Sequence, residues 1–282
     1  MSETYVYKKE VDWSLFNYGF AIPLDYQVAF KKISERYMER GESKDIRLYL
    51  NGKTYSARLK NNRIAAKFGA HTDIVQVRYE KNSEIAEMLR QVFHRNYAYI
   101  ESQKQLQKPG SKKHIPIPEK LKEYLVVYTT EYDDTYILET MVTEEIDTVK
   151  TLVRGQPERL FEAVLEEEEG NCGFGNGDCI RKFRKMNRLV GDNLKQLYDY
   201  RCQICGAAIG NEYDAHIAEA HHIRYFVRTM DMDAGNQMIV CPNHHSLIHR
   251  LDPVFDRQRL RFVFPNGTET KLILNRHLKA TG

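Results

Sequence analysis

Side chains that bind metal ions are concentrated in residues 198–250 of this 282-residue chain. This fifth of the sequence holds six of the ten histidines and three of the five cysteines. Cys202 and Cys205 are separated by two residues, and Cys241 and His244 repeat that interval. Two tight turns of this spacing can each present two ligands to one tetrahedral Zn²⁺, so the pattern predicts a closed, structural zinc site. Buried thiols and a core imidazole are the alternative interpretation.

Two of the remaining histidines have helical spacing. Residues 243–250 are predicted to form a helix with Asn243 as its N-cap. His245 and His249 then lie four residues apart on one face, where two imidazoles can approach one cation.

Two other histidines are adjacent in the chain, at His221 and His222. They fall within residues 215–226, whose alternation favours a strand, and residues 237–240 form a short apolar run typical of a second strand. A hairpin of these two strands, placed against the predicted helix, would bring His221 to the same point as the helical histidines. His216 lies outside this arrangement and is predicted to be an ordinary surface or strand residue.

The order of these residues resembles the HNH nuclease family, which has a ββα-metal fold. His221 and His222 come first, Asn236 follows fourteen residues after His222, His245 lies nine residues later, and His249 four after that. His221, His222 and Asn236 lie between the two halves of the predicted zinc site, and His245 and His249 lie just beyond the second half. The paired histidines are also similar to the colicin DNase branch of the family.

The resemblance implies a role for each residue. His222 is expected to be the general base, while His221 and His245 bind a catalytic divalent cation. His249 is expected to be a third ligand or a phosphate contact. Asn236 is expected to hold the hairpin loop, so that the His222 ring points correctly. A zinc-stabilised module that binds DNA without cleaving it remains an alternative.

These roles suit phosphodiester hydrolysis, which needs an activated water and stabilisation of charge on the phosphate and the leaving oxygen. An imidazole suits the first task and a divalent cation the second. Many family members carry Asp or Glu where this chain has His221, and Ala220 precedes it. Because imidazole favours transition ions, Mn²⁺, Co²⁺ or Ni²⁺ is expected to serve at least as well as Mg²⁺. Glu219 or Asp214 could contribute from nearby.

A helix predicted at residues 179–200 adjoins this segment and carries much positive charge. Its basic side chains, together with the arginine that follows it, are predicted to neutralise phosphates of double-stranded DNA. A solvated helix face is the alternative. The residues are Arg181, Lys182, Arg184, Lys185, Arg188 and Arg201.

Composition bounds the class of protein. Charged residues make up 29% and hydrophobic residues 42% of the chain, and the net charge is only +3. With no long apolar run and no signal-peptide core at the start of the sequence, no membrane association and a cytoplasmic location are expected. Cys172 and Cys179 have no histidine nearby and are predicted to be free thiols.

Residues 1–145 read as a mixed α/β domain that contains two hairpins, one around Asn51-Gly52 and one around Asp133-Asp134. Residues 102–118 are polar and basic and are predicted to form an exposed arm. The runs FAIPLDYQVAF and IRLYLNGKTYSARL resemble the DNA-binding pseudobarrel of some plant transcription factors and restriction enzymes. An unrelated α/β domain that binds protein or dimerises is the alternative.

The sequence therefore predicts an α+β protein: a pseudobarrel-like recognition domain at 1–145, a linker helix and glycine-rich turn at 146–178, and a zinc-stabilised ββα-metal (HNH) nuclease domain at 179–282. We expect a DNA endonuclease of the kind found in restriction systems, acting as a homodimer because it must cut both strands. A monomeric nicking or homing-type nuclease and a non-catalytic DNA-binding regulator are the alternatives.

Overall fold

The computed structural model describes residues 3–22, 38–39, 41–62, 74–108, 110–111, 113–132, 134–154 and 177–280. The chain divides into two compact units, Met1–Asp147 and Thr148–Gly282. The predicted linker helix and glycine-rich turn at 146–178 lie outside the described residues over positions 155–176, as does Cys172. Among the residues described, no helix combines the length and apolar character that a bilayer crossing requires.

The first unit is built on one mixed sheet, which has seven strands in the described part of the chain, in the order β1-β6-β7-β3-β4-β5-β2. Neighbouring strands are antiparallel except for the parallel pair β3 and β7. Their bounds are β1 Thr4–Glu10, β2 Gly19–Ile22, β3 Ser43–Leu50, β4 Lys53–Asn62, β5 Ile74–Arg78, β6 Tyr124–Thr129 and β7 Thr135–Met141.

The hairpin of β3 and β4 shows why these residues form strands. Ile46, Leu48 and Leu50 alternate with exposed residues and are buried in the core, as the period of two of a half-buried strand requires. At the turn, Asn51 has φ 50° and Gly52 has φ 79°. Positive φ at both turn residues is the geometry of the type I′ turn that the Asn-Gly pair predicts.

Helices of the first unit are α1 Trp13–Asn17, α2 Glu84–Val92, α3 His94–Gln105 and, at the boundary between the units, α4 Thr143–Val153. Helix α3 extends into the segment predicted as an exposed arm. Farther along that segment, Ile115 and Ile117 are buried in the main core. The prediction of an exposed loop or arm is therefore wrong at both ends: the first end is helical, and at the second end two buried isoleucines anchor the segment to the unit.

After α4, the second unit continues in the described residues with the long helix α5 Gly177–Leu197. The elements that follow are β8 Glu219–His222, α6 Phe226–Thr229, β9 Gln237–Val240, α7 Pro242–Leu251, β10 Val254–Asp256, β11 Arg261–Val263 and β12 Glu269–Lys271. Strands β8 and β9 form an antiparallel pair, and β10, β11 and β12 form a separate antiparallel sheet. Both units together make a mixed α+β protein.

Helix α5 packs against the β8–β9 pair. Its apolar residues recur at helical spacing, and Phe183, Met186, Val190 and Leu194 are buried. Gly191 permits a close approach, because a Cβ at this position would lie 2.9 Å from the Cβ of Ala220 in β8. The helix therefore fixes the strand that carries the paired histidines.

Candidate metal centres

The first cluster consists of Cys202, Cys205, Cys241 and His244, whose ligand atoms lie within 4.8 Å of one another. His244 Nδ1 lies 3.2 Å from Cys241 Sγ and 3.6 Å from Cys202 Sγ. Two tetrahedral ligands at ordinary Zn–S and Zn–N distances are separated by about 3.6 Å. Three thiols and one imidazole at this separation fit a structural Zn²⁺.

Local structure holds each half of this cluster in place. Between the first two cysteines, the buried Gln203 accepts a hydrogen bond from Ile239 N through Oε1 and donates its own backbone N–H to Ile239 O, both at 2.8 Å. These two hydrogen bonds join the turn of Cys202 to Cys205, the knuckle, to β9. On the other side, Cys241 is the N-cap of α7 and Pro242 its first residue. The predicted cap, Asn243, is wrong because proline is favoured at the first helical position.

Burial keeps the thiol of Cys202 protonated unless a cation is bound. Cys202 is fully buried, and this burial raises the pKa of its thiol to about 11. A thiolate at this depth needs a neighbouring positive charge, which a bound Zn²⁺ provides. Both Cys202 and Cys241 belong to a core cluster with Val240, Ile248 and Phe262, so the site is continuous with the core of its unit.

The second cluster consists of His221, His245 and His249, and its ligand atoms also lie within 4.8 Å of one another. His245 Nε2 and His249 Nε2 are 3.1 Å apart. The ring centroid of His221 lies 5.4 Å from that of His245 and 4.8 Å from that of His249. The i, i+4 pair on α7 and the histidine of β8 therefore converge as the spacing predicts.

Successive side chains of β8 point to opposite faces of the strand, one toward α7 and the other toward α5. Glu219 and His221 face α7, where Glu219 Oε2 lies 2.5 Å from His245 Nδ1. Ala220 and His222 face the side of α5, as the close approach of Ala220 to Gly191 shows. A carboxylate on the far nitrogen of a histidine orients the ring and raises its basicity as a ligand.

His221 is the most deeply buried member of the cluster, with 3% of its surface exposed. Burial, followed by the neighbouring rings of His249 and His245, holds its pKa well below the ordinary value. The ring is therefore neutral near pH 7 and keeps a lone pair. Its Nδ1 has no hydrogen-bond partner among the described residues, which is unusual for a buried nitrogen. Three imidazoles so arranged fit a divalent transition ion.

His222 is buried beside this cluster without being one of its three members. Its ring centroid lies 6.3 Å from that of Phe226, which in turn packs on Phe183 of α5 at 5.9 Å. His222 contributes to the lowered pKa of His221. The general base assigned by resemblance is therefore next to the three-histidine group, on the side of α5.

Asn236 closes the turn between β8 and β9. Its Oδ1 accepts from Arg224 N at 3.1 Å, and its Nδ2 donates to Arg224 O and Asp231 O, both at 2.9 Å. Its backbone O accepts from Ile223 N at 2.8 Å. The side chain thus fixes the backbone directly after His222.

His277 also holds this turn, from the C-terminal tail. Its Nε2 donates to Ala234 O and Gln237 O, both at 3.0 Å, and its Nδ1 accepts from Tyr198 Oη at 2.7 Å. Burial lowers its pKa. Its partners lie at least 40 residues away, so no local spacing reveals this contact.

The six basic residues differ in exposure. The five basic residues on α5 lie outside the apolar face of the helix, which packs on the β8–β9 pair. Arg181 forms an ion pair with Asp178, and Arg201 donates to Gly206 O at 3.1 Å. Exposed members are Arg181, Arg188 and Arg201; half-buried members are Lys182, Arg184 and Lys185.

Two further residues that the sequence analysis discusses, His216 and Cys179, lie outside both metal clusters. His216 is exposed and stacks on the ring of Tyr200 at 4.4 Å. Cys179 is a half-buried cysteine of α5.

No protein-family model, curated protein or solved structure matches this chain. Function is therefore inferred from the two clusters and their surroundings.

Proposed function

We propose that this chain is an HNH-type, metal-dependent endonuclease that hydrolyses phosphodiester bonds of double-stranded DNA. Residues 179–282 would form the ββα-metal nuclease domain, and residues 1–145 a pseudobarrel that recognises DNA. One observation carries the proposal: three imidazoles from a strand and a helix converge within 4.8 Å, beside a separate cluster of zinc-ligand composition.

In this proposal His221, His245 and His249 hold one divalent cation. Such a cation supplies positive charge for the phosphate and for the leaving oxygen. Glu219 keeps His245 oriented by accepting the proton of Nδ1, so that Nε2 remains the ligand atom. The nitrogen-rich donor set favours Mn²⁺, Co²⁺ or Ni²⁺ at least as much as Mg²⁺. A strict Mg²⁺ requirement would contradict this assignment.

His222 is the proposed general base. A base must keep its lone pair for water, and His222 is not one of the three residues that converge as ligands. Asn236 supports this role through its hydrogen bonds to Arg224, which hold the backbone two residues beyond His222. A base fixed in this way can take a proton from water without first reorganising.

The Cys202, Cys205, Cys241 and His244 cluster is the proposed structural Zn²⁺ site. It joins the knuckle before β8 to the start of α7, the helix that carries two of the histidine ligands. The zinc would thus hold the helix relative to the hairpin.

Basic residues on and after α5 are the proposed phosphate contacts. Exposed arginines neutralise phosphates at little desolvation cost. Because each chain has one such site and a duplex has two strands, a homodimer is proposed for double-strand cleavage.

The substitution His222→Ala tests the proposal. We expect cleavage of plasmid DNA in Mn²⁺ to fall by at least about 100-fold, because a general base is removed. DNA binding, measured by gel mobility shift without metal, should stay within about twofold of the wild type. His216→Ala is the matched control, since His216 is exposed and outside both clusters, and it should cleave normally.

Two outcomes would contradict the proposal. Normal cleavage by His222→Ala would remove this residue from the chemistry. Wild-type protein that binds DNA but cleaves it with none of the four ions would instead indicate a zinc-stabilised regulator.

A further inference from the structure

A pocket lies in the first unit, far along the sequence from the histidines of the metal clusters. It is a pocket of about 690 Å³ formed by the start of α1, the end of α3 and the loop that follows α3. This volume is within the range of small-molecule sites. Six of its lining residues could contact a ligand through aromatic or cationic groups: Trp13, Tyr18, Lys104, Lys108, Lys113 and His114.

The loop that walls this pocket is held by its own hydrogen bonds. Lys104 Nζ donates to Ser111 O at 3.0 Å, and Gln107 Nε2 donates to Lys113 O at 3.3 Å. Ser111 N donates to Lys108 O at 3.0 Å. These bonds link the described residues of the wall to one another, and such links lower the entropy cost of binding.

Aromatic rings form one side of the pocket. The rings of Trp13 and Tyr18 meet edge to face with centroids 5.3 Å apart. Lys104 Nζ lies 5.0 Å from the centroid of the Trp13 ring, in a cation–π contact. An aromatic pair beside a cation can take a planar, electron-rich ligand by stacking.

The charge of the pocket is positive. Lys104, Lys108 and Lys113 form no ion pair with any carboxylate in the described part of the chain. The one acidic lining residue, Asp12, is engaged elsewhere: its Oδ2 pairs with Lys9 Nζ at 2.5 Å, and its Oδ1 caps α1 by accepting from Leu15 N. Lys108 and Lys113 are thus available to an anion, and Lys104, which donates to Ser111 O and lies over the Trp13 ring, adds a third positive charge.

We propose that this pocket binds a nucleotide, with its base against Trp13 and Tyr18 and its phosphate at Lys108 and Lys113. Aromatic and anionic groups within one ligand match the two sides of the pocket. The choice of a nucleotide over other planar anions rests on the proposed endonuclease function. The nucleotide is either a free mononucleotide or an unpaired nucleotide within a DNA strand, and both present the same chemistry.

Trp13 is the only tryptophan of the chain, so intrinsic fluorescence reports directly on this pocket. The full-length protein is titrated, without divalent ions, with deoxynucleoside monophosphates, a short single strand, a blunt duplex and inorganic phosphate. We expect saturable quenching by the monophosphates or the single strand, because a stacked base contacts the indole. Tighter binding of the monophosphate identifies a free nucleotide as the ligand, and tighter binding of the strand identifies DNA.

Variants separate this pocket from general electrostatics. Lys108→Gln combined with Lys113→Gln should weaken the quenching by about tenfold, since two exposed phosphate contacts are lost. Lys120→Gln is the matched control, because Lys120 is an exposed lysine of the same unit outside the pocket, and it should bind as the wild type does. Circular dichroism checks that all variants fold.

Three results would overturn the inference: no quenching by any nucleotide or strand, equal quenching by inorganic phosphate, or equal losses in the pocket and control variants. Quenching by the duplex alone would also overturn it, since no base then enters the pocket. Because cleavage is not measured, a failure of the endonuclease proposal and a failure of the nucleotide pocket give different results.

Discussion

His245 is contacted at both of its ring nitrogens. Glu219 Oε2 lies 2.5 Å from Nδ1, and His249 Nε2 lies 3.1 Å from Nε2. The carboxylate fixes the tautomer, so that Nε2 carries the lone pair directed at the other imidazoles. At the scale of the residue, Glu219 therefore acts on the cation site through His245.

Glu219→Gln tests this contact. We expect the affinity for Mn²⁺ or Co²⁺ to fall by about 10–100-fold, because the amide accepts the Nδ1 proton more weakly than a carboxylate. Isothermal titration of zinc-loaded protein measures this affinity. Glu212→Gln, at an exposed glutamate of the same unit, should leave it unchanged. Equal affinities in all three proteins would show that Glu219 does not support the site.

Some of these residue contacts follow from spacing alone. His245 and His249 are four apart in a helix, so their convergence could be predicted, and the strand position of His221 follows from the same reasoning. The sequence names Glu219 only as a nearby carboxylate. The face it shares with His221 depends on where β8 begins, and the chain around it gives no sharp strand boundary.

At the scale of the element, the turn between β8 and β9 is held by hydrogen bonds from a residue within the turn and from a residue of the C-terminal tail. Asn236 binds it from within, and His277 binds the carbonyls of Ala234 and Gln237 from the C-terminal tail. Tyr198, just after α5, completes the link by donating to His277 Nδ1. Three separated segments thus meet at the turn that follows the paired histidines.

His277→Gln tests this link through its dependence on pH. Burial holds the pKa of His277 below its ordinary value, so the neutral ring is favoured in the folded protein. Below about pH 6.5 the unfolded chain binds a proton that the folded chain resists, and stability falls as the pH falls. The melting temperature of the wild type should therefore drop more between about pH 7.5 and 5.5 than that of the variant.

At about pH 7.5 the variant itself should be less stable by about 1–2 kcal/mol, because the Tyr198 hydroxyl loses a good acceptor. Parallel pH curves for the two proteins would contradict the assigned link.

Elements with strong local signals could be predicted from the sequence. The Asn51-Gly52 hairpin, strand β9 and the helix of His245 all have short-range patterns. The sequence places the N-cap of α7 at Asn243 instead of Cys241, because a cysteine that caps a helix has no side-chain signature. The sequence also predicts an exposed segment after α3, because charged residues surround Ile115 and Ile117, whose burial depends on a distant core.

At the scale of the molecule, the chain consists of two units, and all ligands of both proposed metal sites belong to the second. The zinc cluster joins residues about 40 positions apart, so a bound ion contributes directly to the folding of that unit. The first unit has its own core and its own sheet. Its pseudobarrel assignment, the DNA partner and the homodimer remain predictions.

Cys202→Ser tests the structural role of zinc. We expect the variant to lose bound zinc and to be destabilised by several kcal/mol, on the order expected for structural zinc. Calorimetry and metal analysis measure the two effects. Cys179→Ser is the control, since Cys179 is outside the cluster, and it should keep its zinc with a change of less than about 1 kcal/mol. An unchanged melting curve for Cys202→Ser would argue against a structural zinc.

The most direct measurement of the central claim is the number of exchangeable Co²⁺ ions in zinc-loaded protein, followed by DNA cleavage at the same Co²⁺ concentrations. The account predicts one exchangeable ion per chain, cleavage that rises with its occupancy, and loss of both in His245→Ala. Cleavage that proceeds without this ion, or a His245→Ala variant that binds Co²⁺ and cuts DNA as the wild type does, would contradict it.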